Sequence, residues 1–323
     1  PTDELFEHPL TCPPSQIYCI PTKSFYYQTL SSTFIPSEVI KDLNEWIKSI
    51  NLNRYPTFEV KYNVKTHIYQ AFAQNDIKKG DKIIGLSEKS IFHKDAISEQ
   101  YFHENMNKTV LINDQKSFSK LNLTNIPTIL ALSLIYHLYH IESSIYKPWL
   151  QTFPTEIHSF FSRMTLYEYN TFVKTNKEIF PFVKDYFETL DKEWKGLEYL
   201  LKKRLSQEER TSFFNNHPFT KSDFIYIRSI TERHGWSIGN NEDLILFPLN
   251  DIFERKNVEK DTSYSTYIRQ QEITPLDNQT AHLNLLSDRN FTKGEQIYQS
   301  FAEPRGFLSA LLYGQMPKYS FLD

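Results

Sequence analysis

Two segments of this chain share one form, and they lie more than two hundred residues apart. Ile68 to Leu86 (IYQAFAQNDIKKGDKIIGL) reads as a strand, a tight turn from Asp76 to Asp81, and a second strand. From His282 the chain alternates like a strand, turns through Thr292-Lys293-Gly294-Glu295, and returns as a strand from Gln296 to Phe301. Each turn carries a glycine, the residue that takes positive φ or lets backbone approach a ligand closely. Glycine is otherwise scarce, with 8 in 323 residues, about a third of the usual share of roughly 7%. A chain this poor in glycine has few places to cradle a cofactor.

The stretch between the two units reads as helical. Pro127 to Ile145 is strongly apolar and is expected at the centre of the core, ending near Pro148. Thr165 to Arg210 reads as a long helical stretch interrupted at Pro181, and Thr220 is placed to cap a further helix running to Arg233. Ahead of the first unit, Ser37 to Ile50 puts Val39, Leu43, Trp46, Ile47 and Ile50 on one helical face. Residues 254–280 are polar and read as loop. Residues 1–37 hold six prolines, both cysteines and several aromatics without helical or strand period, so they are expected to form an extended arm. Such an arm makes no core of its own and is expected to lie on another surface. The expected divisions are 1–37 arm, 38–119 helix and first half of a β-rich core, 120–235 helical insert, and 236–323 second half of that core.

Composition removes several functions. Apolar residues are 40% and charged residues 23%, as in a soluble globular protein, and no window approaches the ~18 apolar residues of a membrane span. A net charge of −3 gives none of the concentrated basic surface that nucleic acid asks for. Cys12 and Cys19 are too few for a cysteine-rich zinc site. Their spacing permits a clip, but they read better as free thiols in a reducing compartment. His137 and His140 share a helix with Glu142 nearby; without a third placed ligand they read as core or interface residues. Asn107, Asn122, Asn278 and Asn290 each begin an N-x-S/T triplet of the kind an asparagine-rich chain produces by chance. Aromatics reach 15%, with 25 Phe and 20 Tyr, which suits a large core or a surface covered by partners.

Five motifs stand in order across residues 40–315, namely DLNEWIKSINLNRYPTFEVKYN, AFAQNDIKKGDKIIGLS, LALSLIYHLYHIESSIYKPWLQTFPTEI, LFPLNDIFER and LLSDRNFTKGEQIYQSFAEPRGFLSALLYG; together they resemble the SET-domain protein methyltransferases, in particular the branch of the Rubisco large-subunit lysine methyltransferase and the actin-histidine methyltransferase. DLNEWIKSINLNRYPTFEVKYN resembles that family's opening helix and strand. AFAQNDIKKGDKIIGLS resembles its A-T-R-D-I-x-x-G-E turn, and LALSLIYHLYHIESSIYKPWLQTFPTEI its insert helix with W-x-P-Y-L-x-x-L-P. LFPLNDIFER resembles L-x-P-L-x-D-x-x-N-H. LLSDRNFTKGEQIYQSFAEPRGFLSALLYG resembles the closing R-D-F-x-x-G-E-Q-I…Y-G segment. The resemblance implies an α+β fold: a β-rich SET core from about 58–95 and 236–315, with a helical insert between. It also implies AdoMet held against glycine backbone and the Asn-His pair, with the Y-G tyrosine orienting the target amine.

This chain departs from the pattern at the cofactor positions. The family's G-x-G falls on Ile68-Tyr69-Gln70, its Asn-His on Glu254-Arg255, its catalytic Tyr-Gly on Phe301-Ala302, and its Ser-Asn on Arg305-Gly306. The Ser-Arg before them falls on Glu232-Arg233. Gly80, Gly294 and the Pro248-Leu249 step still match. Tyr298 and Tyr313 each carry a hydroxyl, but strand alternation turns Tyr298 away from Phe301, and Tyr313 matches a second family tyrosine expected to be packed. Glu254-Arg255-Lys256 also reads as a solvated charge cluster. The chain begins without an initiator Met and ends at Asp323, so the family's C-terminal helical domain is expected to have no counterpart.

The expectation is therefore a catalytically inactive SET-like protein with no catalytic, cofactor or metal residues. It would act as a structural or interaction subunit of a larger assembly, with the N-terminal arm at an interface. By analogy with former enzymes recruited by respiratory complexes and ribosomes, the assembly is expected to be mitochondrial, and failing that the chain is expected to be cytoplasmic. Two alternatives stay open. One is a divergent AdoMet-dependent lysine or histidine methyltransferase, with AdoMet then bound. The other is a module that binds a peptide in the old substrate groove. A corner filled by Gln70, Arg255 and Phe301 side chains would favour the first reading.

Overall fold

The computed structural model describes residues 24–50, 57–87, 90–93, 117, 120–121, 123, 126–155, 174–175, 180–238, 243–256, 266–270 and 282–300. The two strand-turn-strand units build the centre of the fold, and they do so by pairing with each other. Strands β1 (Phe58–Asn63) and β2 (Ile68–Ala73) form an antiparallel hairpin. Strand β3 (Lys82–Ser87) leaves the first turn and pairs antiparallel with β9 (His282–Ser287), which enters the second turn. Strand β8 (Thr266–Gln270) extends that sheet beyond β9, and β5 (Gly235–Ile238), β6 (Asp243–Leu246) and β4 (Phe92–His93) form another. The limb returning from the second turn does not pair back on β9. It bridges β2 at Phe72↔Gln296, and its end, β10 (Gln299–Ser300), runs parallel to β7 (Arg255–Lys256).

The turns themselves are locked face to face in reciprocal fashion. Ile77 and Phe291 exchange both backbone hydrogen bonds, at 2.9 and 2.8 Å. The Gly80 amide reaches the Ser287 carbonyl at 2.6 Å, and the Gly294 amide reaches the Ala73 carbonyl at 2.7 Å. The Asp76 carboxylate accepts from the Lys293 amide, and the Asn290 side chain accepts from the Lys79 amide, both at 2.8 Å. Within each turn the last acid accepts an amide three residues back, Asp81 from Lys78 and Glu295 from Thr292. Gly80 and Gly294 sit at φ of 88° and 83°, which explains why this glycine-poor chain keeps glycine at both.

Seven helices cover this core: α1 (Phe25–Ser31), α2 (Pro36–Ile50), α3 (Ile126–Tyr139), α4 (Lys147–Leu150), α5 (Phe180–Arg204), α6 (Gln207–Phe213) and α7 (Lys221–His234) are the named ones among the described residues. Helix α2 buries Val39, Leu43 and Ile47 against the strands, as its period predicts. Helix α3 is apolar all round and almost wholly buried, hence central to the helical layer. Its His137 packs between Phe92 and Tyr146 with Nδ1 3.0 Å from Ser144 Oγ, and His140 meets the Phe213 carbonyl. Helix α7 starts at Thr220 in a capping box with Asp223. The helical and strand clusters meet at Phe34 and Trp46. Trp149 Nε1 also joins them, donating to Asp251 at 2.9 Å.

Three expectations are corrected. The arm read as extended over residues 1–37 is helical at Phe25–Ser31, capped by Ser24; Cys12, Cys19 and the rest of residues 1–23 lie outside the described residues. Buried contacts hold this helix: the Ser24 hydroxyl donates to buried Asp223, and the Tyr27 hydroxyl lies 2.9 and 3.0 Å from the Leu150 and Phe153 carbonyls. The long helix expected to Arg210 stops at Arg204, because Ser206 and Glu209 form a capping box that starts α6. At the other end the helix starts at Phe180, and Pro181, the expected point of interruption, lies in its first turn, where its missing N–H is no loss. The polar segment 254–280 contains β7 and β8 rather than loop alone.

Two outcomes follow from the paired turns. A Cβ at Gly80 or Gly294 meets nothing within 4 Å, so alanine there costs only backbone strain, roughly 1–2 kcal/mol. Urea unfolding of G80A and G294A should show that loss singly, and G294N should lose less, since asparagine tolerates this region. Burial pushes the Glu295 carboxyl up, but the Thr292 amide and Arg289 outweigh it and hold its pKa below the usual value. A depressed folded pKa means stabilisation that is complete above the ordinary glutamate value and lost as pH falls through the folded one. Glu295→Gln should flatten the melting-temperature profile below about pH 4.3 while lowering it at neutral pH.

Candidate functional site

The site to test is the corner where β2 faces the segment after β6. Hairpin alternation puts Gln70, Lys61, Asn63 and Ile68 on one face and Tyr62, Tyr69 and Ala71 on the other. Gln70 is buried, at 8% exposure. Its Nε2 donates to Glu254 Oε2 at 3.0 Å, and Gln296 Nε2 donates to the same oxygen at 3.0 Å. Tyr298 donates its hydroxyl to Gln296 Oε1 at 2.6 Å, and Asn63 Nδ2 donates to Gln70 Oε1 at 3.4 Å. All four bonds run toward one carboxylate. A carboxylate only accepts, so it fixes which end of each amide faces it. Asn63 is held in turn because its Oδ1 accepts the Lys65 and Thr66 amides at the hairpin turn.

The elements that deliver these side chains are the paired turns. The Ile297 amide bonds to the Ala71 carbonyl, and Phe72 bridges Gln296, so the limb bearing Gln296 and Tyr298 lies along β2. Glu254 follows a short 3-10 turn, Asn250–Ile252, entered through Leu249 at φ 76°. That left-handed residue follows Pro248, the step singled out in the sequence. The structure thus brings Gln70 and Glu254 together, as the motif alignment required. Phe301, Ala302, Arg305, Gly306 and Tyr313 lie outside the described residues, as do Asn107 and Asn278, and the Arg255 and Arg233 side chains are likewise not described.

Glu232, aligned with the family's serine, is committed elsewhere. It accepts the Tyr186 hydroxyl at 2.5 Å and pairs with Arg228 at 2.9 Å, while Arg228 also pairs with Glu193 at 3.0 Å. Burial, then Glu232, pushes the Tyr186 hydroxyl well above its usual pKa. For Arg228 burial works against the charge, but the two carboxylates prevail and raise its pKa. Asn290, one of the N-x-S/T triplets, spends its side chain on the Lys79 amide. Among the described residues no cluster of three His, Cys, Asp or Glu is arranged to hold a metal ion, and no helix is long and apolar enough to cross a membrane. Sequence reasoning missed Asn63 and Gln296. Their only signal is position: Asn63 ends β1 beside the turn, and Gln296 follows the second turn glycine by two residues.

No family model matches this sequence, and no curated protein is similar to it. Solved structures do match. The SET domain of LSMT bound to lysine and AdoHcy superposes with a TM-score of 0.59 at 18% identity, over 87% of this chain and 57% of that one. Rubisco LSMT bound to AdoMet gives 0.54 at 18% identity, with the same shares of the two chains. The SET domain of LSMT bound to MeLysine and AdoHcy gives 0.56 at 17% identity.

This chain has the SET methyltransferase fold.

The α+β architecture expected from the motifs is therefore the one found, and the chain spans 57% of the length of the first two structures it matches. Within the SET fold, the corner at Gln70 and Glu254 is where the motif alignment puts G-x-G against Asn-His. Here it holds a hydrogen-bonded chain of side chains. Gln70→Leu, which keeps volume but removes the donor to Glu254 and the acceptor for Asn63, should lower unfolding stability by about 1–3 kcal/mol. Denaturant unfolding of the purified variant measures it.

Proposed function

We propose that this chain is a catalytically inactive SET-fold protein that serves as a structural or interaction subunit of a larger assembly. The observation that carries the proposal is the Gln70 side chain, buried at the second position of the family's glycine pair and bonded to Glu254 at 3.0 Å. Methyl transfer needs the sulfonium methyl and the nucleophile aligned in a narrow pocket, and positioning supplies much of its rate. Glycine gives a cofactor room and bare backbone; glutamine at that position brings a side chain, which here is spent on a carboxylate. Glu254 stands where the family has a compact amide, and it is engaged by two donors. Opening this corner to a ligand means breaking charge-assisted hydrogen bonds, each worth roughly 1.5–3 kcal/mol. The buried anchoring of α1 through Ser24 and Tyr27 fits a chain whose aromatic N-terminal region serves packing.

As part of the same proposal the assembly is mitochondrial, by analogy with other former enzymes recruited to such complexes. Fractionation with antibody detection tests this: co-sedimentation with a mitochondrial complex is expected, and an exclusively cytosolic signal contradicts it. The inactive reading is tested by calorimetry and thermal shift of the full chain with millimolar AdoMet and AdoHcy. A ligand at one hundred times its Kd stabilises the native state by about 2.7 kcal/mol, so even a weak site registers. No heat and no shift are expected. A saturable shift overturns the inactive reading and makes the chain an AdoMet-dependent methyltransferase candidate.

A further inference from the structure

Ser24, Tyr26 and Tyr27 each bond the end of a different helix. The Ser24 hydroxyl accepts from the Tyr27 amide at 3.0 Å, which caps α1, and donates its own proton to Asp223 in the first turn of α7. The Tyr26 hydroxyl donates to the carbonyl of Tyr139, the last residue of α3, at 3.3 Å, and Asn215 Nδ2 reaches the same oxygen at 3.0 Å. The Tyr26 and Tyr139 rings stack with centroids 4.0 Å apart. The Tyr27 hydroxyl lies 2.9 Å from the carbonyl of Leu150, the last residue of α4, and 3.0 Å from that of Phe153. Carbonyls at the end of a helix have no partner within it, and a buried polar group left without one is costly. Ser24, Tyr27 and Asp223 are 1%, 0% and 2% exposed, so water cannot replace these bonds while α1 is in place. Burial pushes the Tyr27 and Tyr139 hydroxyls well above their usual pKa, and burial with Glu142 and Asp223 pushes Tyr26 up to about 12. All three therefore stay donors at neutral pH.

We propose that residues 24–31 form a clasp: a short helix that docks and undocks as one unit and closes the ends of α3, α4 and α7 together. Helix α1 has seven residues, too few to stand alone in water, so it holds its shape only while docked. Its ties run to the helical layer. Tyr27 belongs to the buried helical cluster, whereas Val39, Leu43 and Ile47 of the next helix, α2, belong to the strand cluster. In the link between them Ser32, Thr33 and Ile35 are exposed, while Phe34 packs on both clusters. On its other side α1 borders a cleft of about 380 Å³ that separates it from the β1–β2 hairpin, which leaves it room to move away. Order–disorder steps of a short segment are a recurrent switching device. A partner or protease that displaces residues 24–31 loosens three helix ends at once and leaves the paired turns closed. The clasp does not depend on the chain being catalytically inactive.

The test is native-state hydrogen exchange on the full chain and on two mild variants, Tyr27→Phe and Ser24→Ala. It is read at Gln28 in α1, at Gln151, Thr152 and Phe153 after α4, and at Phe224 in α7, whose amides all donate to backbone carbonyls. Losing one hydrogen bond should speed exchange about tenfold, and each variant should do so at all three places. Tyr27→Phe removes no group bonded to α7, and Ser24→Ala removes none bonded to residues 150–153. Those crossed effects are the signature of one unit. Exchange at Ile77 and Phe291 in the paired turns should stay unchanged. A variant that loosens only its own partner overturns the clasp, and so does unchanged exchange at Gln28. Equal acceleration at Ile77 and Phe291 also overturns it, since α1 would then open only with the whole fold.

Discussion

Everything in this fold hangs on two turns that hold each other. Ile77 and Phe291 exchange amide and carbonyl; Gly80 and Gly294 each donate across to the strand entering the other turn; Asp76 and Asn290 each accept an amide of the opposite turn. Neither unit makes a sheet alone, since the strands flanking each turn pair with other strands and not with each other. Closing that contact joins residues more than two hundred positions apart, with the helical layer inside the loop. The loop-closure entropy grows only slowly with length, which is why a large helical insert is compatible with the pairing. The buried clusters on either side, meeting at Phe34 and Trp46, then have a fixed frame to fill.

The same frame places the polar corner. Because the limb after Gly294 runs along β2, Gln296 and Tyr298 arrive beside Gln70, and the short turn after Leu249 brings up Glu254. In the SET fold this geometry places glycine backbone near the Asn-His pair. Here the side chains at the aligned positions meet one another. Polar groups in a half-buried site must be satisfied, and a carboxylate accepting from two amides, each fed by a further donor, meets that demand without a ligand. The proposed loss of methyl transfer therefore has a physical description: the contacts a cofactor would supply are made within the chain.

How much of this was legible in the sequence depends on the range of the interaction that decides each part. Gly80 and Gly294 were readable because positive φ is a local demand. Thr220 was readable because a capping box needs only Asp223 three residues on. The α2 face was readable from its period. Helix α1 was not: its seven residues are too few to stand alone, and it is held by Asp223 and the carbonyls near Leu150, far along the chain. Strand β8 was hidden because TYIRQ mixes polar and apolar residues and pairs with β9 across a polar connection. At the corner, Gln70 and Glu254 were nameable only through the motif alignment. That they touch, and that Gln296 completes the pair, required the strand register.

The claim underlying the account is that the two turns unfold as one unit. Native-state hydrogen exchange on the full chain tests it most directly, read at the amides of Ile77, Gly80, Phe291 and Gly294. All four donate across the pair, so each should exchange only when the contact opens, with equal protection and equal denaturant dependence. Fast exchange at Ile77 and Gly80 with full protection at Phe291 and Gly294, or the reverse, would show that one turn stands without the other and contradict the account.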